Sequence, residues 1–146
     1  EVLDGPRLLF CCVDTPPTYS GDADLTRVMQ VVQEVGDLAS HALVMKSTVP
    51  VGTGRSIKRR LEKMGYTSNP EFLKEGSAIS DFQRPDRVVV GAGTEDSDFG
   101  DRVEGLYDPL EAPMVRTDVA SAEMIRLASR PNGGYPVRSR TSISLV

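Results

Sequence analysis

Apolar and polar positions along the 146-residue chain sort into short continuous apolar runs and longer stretches of helical spacing. RLLFCCV (7–13) is continuously apolar, which suits a strand covered on both faces in a parallel sheet. It stops at DTPPTYSGDAD, rich in Pro, Gly and Asp, after which Leu25, Val28, Val32, Val35 and Ala39 recur at helical spacing, with Asp22 as a cap. ALVMK (42–46) predicts a second strand, followed by STVPVGTG and a helix with Ile57, Leu61 and Met64 on one face and Arg55, Lys58, Arg59, Arg60 and Lys63 around it. That basic run is expected to be a solvated helix face. YTS (66–68) is a brief extended stretch, and DRVVVGA (86–92) the clearest further strand. Thr94, Glu95 and Asp96 begin a helix whose buried stripe is Phe99, Val103 and Leu106; APMVRT is a last strand, and from Asp118 a final helix shows Ala120, Met124, Leu127 and Ala128 at helical spacing. RPNGGYPVRSRTSISLV (130–146) holds no acid and no sustained period, so it predicts a disordered tail or a sequence foreign to the fold.

Strands alternating with helices predict a doubly wound α/β sheet, because parallel strands need crossover helices. Composition narrows the function. Apolar residues at 39% and charged residues at 26% describe an ordinary globular domain. A net charge of −4 with 5% aromatics and no Trp argues against a nucleic-acid partner. The longest apolar run, LLFCCV, falls far short of the ~20 residues that cross a bilayer, and no leader precedes it, so a cytoplasmic, membrane-free protein is expected. Cys11 and Cys12 are adjacent and point to opposite faces of a strand; buried strand cysteines are expected, with no disulfide and no metal site.

Ligands of such sheets sit beyond the carboxyl ends of the strands, which singles out three loops. In DTPPT, Pro16 and Pro17 hold the chain extended and Thr15 offers a hydroxyl; a rigid turn is the competing reading. In STVPVGT, Thr48 follows a strand and Pro50 suits a first helical position, while Ser47 or Thr48 alternatively serves only as a cap. In SNPEFLKEG, Asn69 suits a helix cap and Pro70 the first turn, which puts Glu71 and Glu75 one turn apart on one side. A helix N-terminus lowers a carboxylate's pKa, so a base working near neutrality needs burial or a neighbouring acid. Plain helix-terminal charge is the alternative.

Six blocks in order, FCCVDTPP, GDADL, KSTVPVGT, SNPEFLKEGSAISDF, PDRVVVG and TDVASAEMIRLAS, resemble the UDP-glucose / GDP-mannose dehydrogenase family over roughly residues 8 to 129. KSTVPVGT and PDRVVVG are closer to its UDP-glucose branch. The resemblance implies a partial Rossmann-like NAD-binding domain (1–117), the start of a central connecting helix (118–129) and a divergent tail (130–146). It implies NAD-dependent oxidation of a sugar C6 alcohol to the carboxylate, through an aldehyde and a cysteine thioester, on UDP-glucose or a related sugar nucleotide, in a homo-oligomer. By the same resemblance Val13, Thr15, Pro16 and Glu75 contact NAD, Glu71 performs acid/base work in the hydrolytic step, Thr48 positions water, and Phe72, Leu73 and Lys74 contact the sugar nucleotide.

The family's glycine-rich GxGYxG turn, and its catalytic Lys, Asn and Cys blocks, have no counterpart in these residues. The isolated chain is therefore expected to be inactive. Two other readings stand beside this one: a non-catalytic fragment that binds a nucleotide or a partner subunit, and a different NAD-dependent dehydrogenase of the hydroxyacid type, against which SNPEFLKEG counts.

Overall fold

The computed structural model describes residues 7–73 and 76–129. They form five strands, β1 (Leu8–Cys11), β2 (Ala42–Met45), β3 (Gly65–Ser68), β4 (Val88–Ala92) and β5 (Met114–Thr117), in one sheet of that same order. Five α-helices accompany them: α1 (Thr26–Val35), α2 (Thr53–Lys58), α3 (Ala78–Gln83), α4 (Ser97–Gly105) and α5 (Val119–Ala128). The expected tail at 130–146 lies outside the described residues. Among the described residues no helix is long and apolar enough to cross a membrane.

The α/β architecture follows the alternation of apolar runs, and β2 shows why. Leu43 and Met45 face one way, into a core with Val28 and Val32 of α1, Ile57 of α2 and Tyr66; Val44 faces the other, with Val88, Val90 and Val103 of α4. Every residue of β2 is buried, as a strand covered on both faces requires. Val119 at the start of α5 packs on the first core.

The doubly wound, mostly parallel sheet holds one antiparallel pairing. β1, β2 and β3 are parallel and β4 with β5 is parallel, but β3 and β4 are antiparallel. A parallel return needs a crossover that spans the sheet. The connection between β3 and β4 carries only α3, six residues long and so about 9 Å, with no buried residue. It stays at the edge where β3 ends, and β4 runs back from there.

Several helix readings shift for similar local reasons. α1 begins at Thr26, and Asp24 rather than Asp22 receives the Thr26 amide, at 2.9 Å. The helix stops at Val35, leaving Ala39 exposed beyond it. α2 ends at Lys58, although Leu61 and Met64 are still buried in the turn that follows. Lys58 turns partly inward from the solvated face: its Nζ donates to the Met64 carbonyl and to Asp96, each at 3.0 Å. Leu106, expected inside, is 56% exposed because α4 ends at Gly105. On α5 the buried positions are Ala122 and Glu123, and Met124 is 55% exposed. Of the two cysteines, Cys11 is buried, and Cys12 is exposed because it follows the last residue of β1.

α5 is capped by Asp118, whose carboxylate accepts the Ser121 amide at 2.9 Å and the Ser121 hydroxyl at 2.6 Å. Those two bonds hold the Asp118 carboxyl below the usual carboxylate range. A depressed folded-state pKa contributes stability that is present above the unfolded value of about 3.9 and lost as pH falls through the lower folded value. Asp118→Ala is expected to cost about 1 kcal/mol at neutral pH in urea unfolding, with the difference from the parent shrinking on acidification below about pH 4.

Candidate functional site

Three loops leave the carboxyl ends of β1, β2 and β3 side by side, because those strands are parallel neighbours. Val13, Thr15 and Pro16 from the first, Thr48 from the second and Glu71 from the third line one open cleft of about 510 Å³. The first two loops are tied directly. The Thr15 hydroxyl donates to the Thr48 carbonyl at 2.7 Å, and the Ser47 hydroxyl donates to the Val13 carbonyl at 2.6 Å. Neither Ser47 nor Thr48 caps a helix; α2 begins five residues after Thr48 and has no side-chain cap.

The third loop differs from its reading as a helix start. Asn69 to Leu73 has no regular structure, and the following helix begins at Ala78. Asn69 is 1% exposed, and its side chain is fully engaged elsewhere. Its Nδ2 donates to the Val89 carbonyl at 2.9 Å, and its Oδ1 accepts the Tyr107 hydroxyl at 2.6 Å and Lys46 Nζ at 3.3 Å. An amide committed to β4 and to the end of α4 has no oxygen left to cap a helix. The expected pairing of Glu71 with Glu75 on one turn, and the contacts assigned to Lys74 and Glu75, fall on residues outside those described.

Glu71 sits where the cleft meets a second pocket of about 130 Å³, lined also by Phe72 and Leu73. Pro85, Asp86, Arg87 and Val88 form its far wall. Antiparallel β4 explains their presence: its entrance lies at the edge where β3 exits. Phe72 is flanked by two guanidinium groups, Arg87 at 5.1 Å and Arg126 of α5 at 5.9 Å from the ring centre.

Two residues join the site that the loop reading missed. Lys46 lines both the cleft and the pocket, and its ammonium reaches the Tyr107 hydroxyl at 3.1 Å and the Asn69 carbonyl at 3.4 Å. It is the last residue of the ALVMK run, which counted it as strand. Glu123, from α5, sits against the turn after Thr48: its carboxylate accepts the Gly52 amide at 2.6 Å and the Gly54 amide at 2.7 Å. Burial pushes its pKa up, against the pull of those two amides. A signal existed for Glu123: it lies four residues after Val119, in the phase of the buried face, where a lone acid needs a partner.

Of the two cysteines, exposed Cys12 lines the cleft and buried Cys11 does not. Burial raises the Cys11 thiol pKa, the opposite of what a nucleophile needs. Among the described residues no group of three or more His, Cys, Asp or Glu side chains is placed to hold a metal ion.

Comparison with known proteins bears on the family and the fold. Residues 3–111 match the family model "UDP-glucose/GDP-mannose dehydrogenase family, NAD binding domain". The chain is 39% identical over 131 residues to UDP-glucose 6-dehydrogenase TuaD of Bacillus subtilis, covering 84% of this chain and 28% of that protein. It is 36% identical over 141 residues to GDP-mannose 6-dehydrogenase of Pseudomonas syringae pv. syringae, covering 86% and 32%. Among solved structures it superposes on a GDP-mannose dehydrogenase from Pseudomonas aeruginosa with a TM-score of 0.74 at 34% identity, covering 84% of this chain and 31% of that one. A UDP-glucose dehydrogenase from Pyrobaculum islandicum gives a TM-score of 0.72 at 37% identity, with the same coverage. The chain thus spans about three tenths of the length of these relatives.

The Lys46–Asn69–Tyr107 cluster is one hydrogen-bonded network and is expected to behave as a unit. Tyr107→Phe is expected to lower stability by about 1 kcal/mol and Asn69→Ala by about 2–3 kcal/mol, since the latter strands the Val89 carbonyl and the tyrosine hydroxyl. The double variant, measured by urea unfolding, is expected to cost clearly less than the sum. Strict additivity would contradict a shared network.

Proposed function

Because this chain belongs to the UDP-glucose/GDP-mannose dehydrogenase family, we propose that it contributes part of an NAD-dependent nucleotide-sugar 6-dehydrogenase, with UDP-glucose as the sugar nucleotide. One observation carries the site assignment: loops distant in sequence bring Val13, Thr15, Pro16, Thr48 and Glu71 to one cleft at the carboxyl edge of parallel strands. KSTVPVGT and PDRVVVG, nearer the UDP-glucose branch, support the choice of sugar.

The residues fit a dinucleotide. The wall of the cleft offers a hydroxyl at Thr15 and extended backbone at Pro16 and Pro17, with the Lys46 ammonium at its far side. The Thr15 proton is already donated to Thr48, so its oxygen is left as an acceptor for ligand N–H groups. Bound there, NAD⁺ supplies the hydride acceptor, two equivalents for each alcohol taken to a carboxylate. The protein's own part is to place and protonate. Glu71, half-buried between cleft and pocket, takes up and returns a proton in the hydrolytic half of the reaction. Thr48 orients the water, and Lys46 keeps a positive charge beside the group that becomes a carboxylate. Phe72 and Leu73, with Lys74 next to them in sequence, contact the sugar nucleotide, and Glu75 belongs to the NAD contact.

NAD⁺ and nucleotide sugars as substrates suit a cytoplasmic protein, acting as a homo-oligomer when its remaining parts are present. The 146 residues contain neither the glycine-rich phosphate turn nor a Gly-Ser-Cys block, so this polypeptide alone is expected to bind NAD⁺ weakly, in about the millimolar range, and to reduce none. Titration calorimetry with NAD⁺ tests the reading. Thr15→Val is expected to weaken binding about threefold to tenfold. An unaltered isotherm for that variant, or no heat with the parent chain, would count against the assigned cleft.

A further inference from the structure

Glu123 is a buried acid on α5, and no step proposed above uses it. It is 2% exposed, and both of its carboxylate oxygens are spent on backbone amides of one turn. That turn needs two glycines. Gly52 stands at φ +93°, a left-handed conformation that side chains disfavour. Gly54 has no room for a Cβ, which would fall 2.5 Å from Val119 Cγ1 and 2.6 Å from Tyr66 Cε1. α5, α2 and β3 therefore meet at van der Waals distance around a single carboxylate.

The turn is the direct continuation of the cofactor cleft. Thr48 carries the carbonyl that receives the Thr15 hydroxyl, Val49 is 3% exposed in the main core, and the Pro50 carbonyl accepts the Thr53 hydroxyl at 2.7 Å. From Thr48 to Gly54 the chain is thus pinned at one end by Val49 and at the other by Glu123. α5 also reaches the site a second time, through Arg126 against Phe72.

We propose that Glu123 is a positioning residue of the cofactor cleft, its carboxylate holding the Gly52–Gly54 turn so that the Thr48 carbonyl stays in register for the Thr15 hydroxyl. The proposal rests on the functional reading above for what the cleft binds, while the positioning itself is independent of any ligand. Receiving two N–H donors on two oxygens calls for the ionised carboxylate, since a protonated acid or an amide turns a donor toward one of the amides.

Glu123→Gln tests this at about pH 8, on the alkaline side, which favours the ionised carboxylate of the parent. Val103→Ala is the control, a core truncation in the cluster on the opposite face of the sheet. In amide exchange followed by NMR, the unsubstituted chain is expected to protect the Gly52 amide even though that residue is exposed. In Glu123→Gln the Gly52 and Gly54 amides are expected to exchange at least about tenfold faster, the Thr15 and Thr48 resonances to shift, and NAD⁺ affinity to fall about fivefold. Val103→Ala is expected to lose stability without these three changes. Unmoved Thr15 and Thr48 resonances in folded Glu123→Gln overturn the proposal, and so does an unprotected Gly52 amide in the parent, a measurement that needs no variant to fold. Failure of the parent to bind NAD⁺ sinks the functional reading alone and leaves the ligand-free readouts to decide this one.

Discussion

The buried amide of Asn69 is the junction on which the arrangement depends. It stands at the end of β3, bonds across to β4, and collects the Tyr107 hydroxyl and the Lys46 ammonium on its oxygen. Here the parallel part of the sheet meets the reversed part, and a buried polar group at such a seam must find every partner or cost several times what a single bond contributes. Satisfying Asn69 fixes the direction in which the chain leaves β3. That direction carries Glu71 to the boundary between cleft and pocket.

The reversal at β4 has a functional consequence. In a wholly parallel sheet the residues before β4 would lie at the amino edge, away from any ligand. Running antiparallel, β4 brings Arg87 and its neighbours to the carboxyl edge, where the Arg87 guanidinium and that of Arg126 from α5 both lie near the Phe72 ring centre, at 5.1 Å and 5.9 Å. Part of the pocket wall thus comes from the approach to a strand rather than from a loop that follows one.

This explains what could be read from the sequence and what could not. The apolar runs of β2 and β4, and the loops following β1 and β2, were legible because their burial is set locally, by a run covered on both faces and by Pro and Gly at its end. The segment 69–73 was misread as a helix because Asn-Pro has the right chemistry for a cap, and only the tertiary demand from Val89 and Tyr107 decides otherwise. The phase of α5 was displaced by counting apolar side chains alone, so Met124 was put inside and Glu123 passed over. An acid can occupy the buried face when two backbone amides wait for it; its phase with Val119 marks the position, but the amides that receive it are set by tertiary structure. Lys46 escaped for a different reason: its position one residue past the strand makes it structural in a linear reading and central in three dimensions.

The central claim is that three loops form one pocket for a dinucleotide. Mapping amide chemical shifts during an NAD⁺ titration of the intact chain tests it most directly. The account predicts perturbations clustered at Val13 to Thr15, Ser47 to Thr48 and around Glu71, growing together with a single apparent affinity. Perturbations confined to the groove beside α1, or scattered over the surface without reaching those three segments, would contradict it.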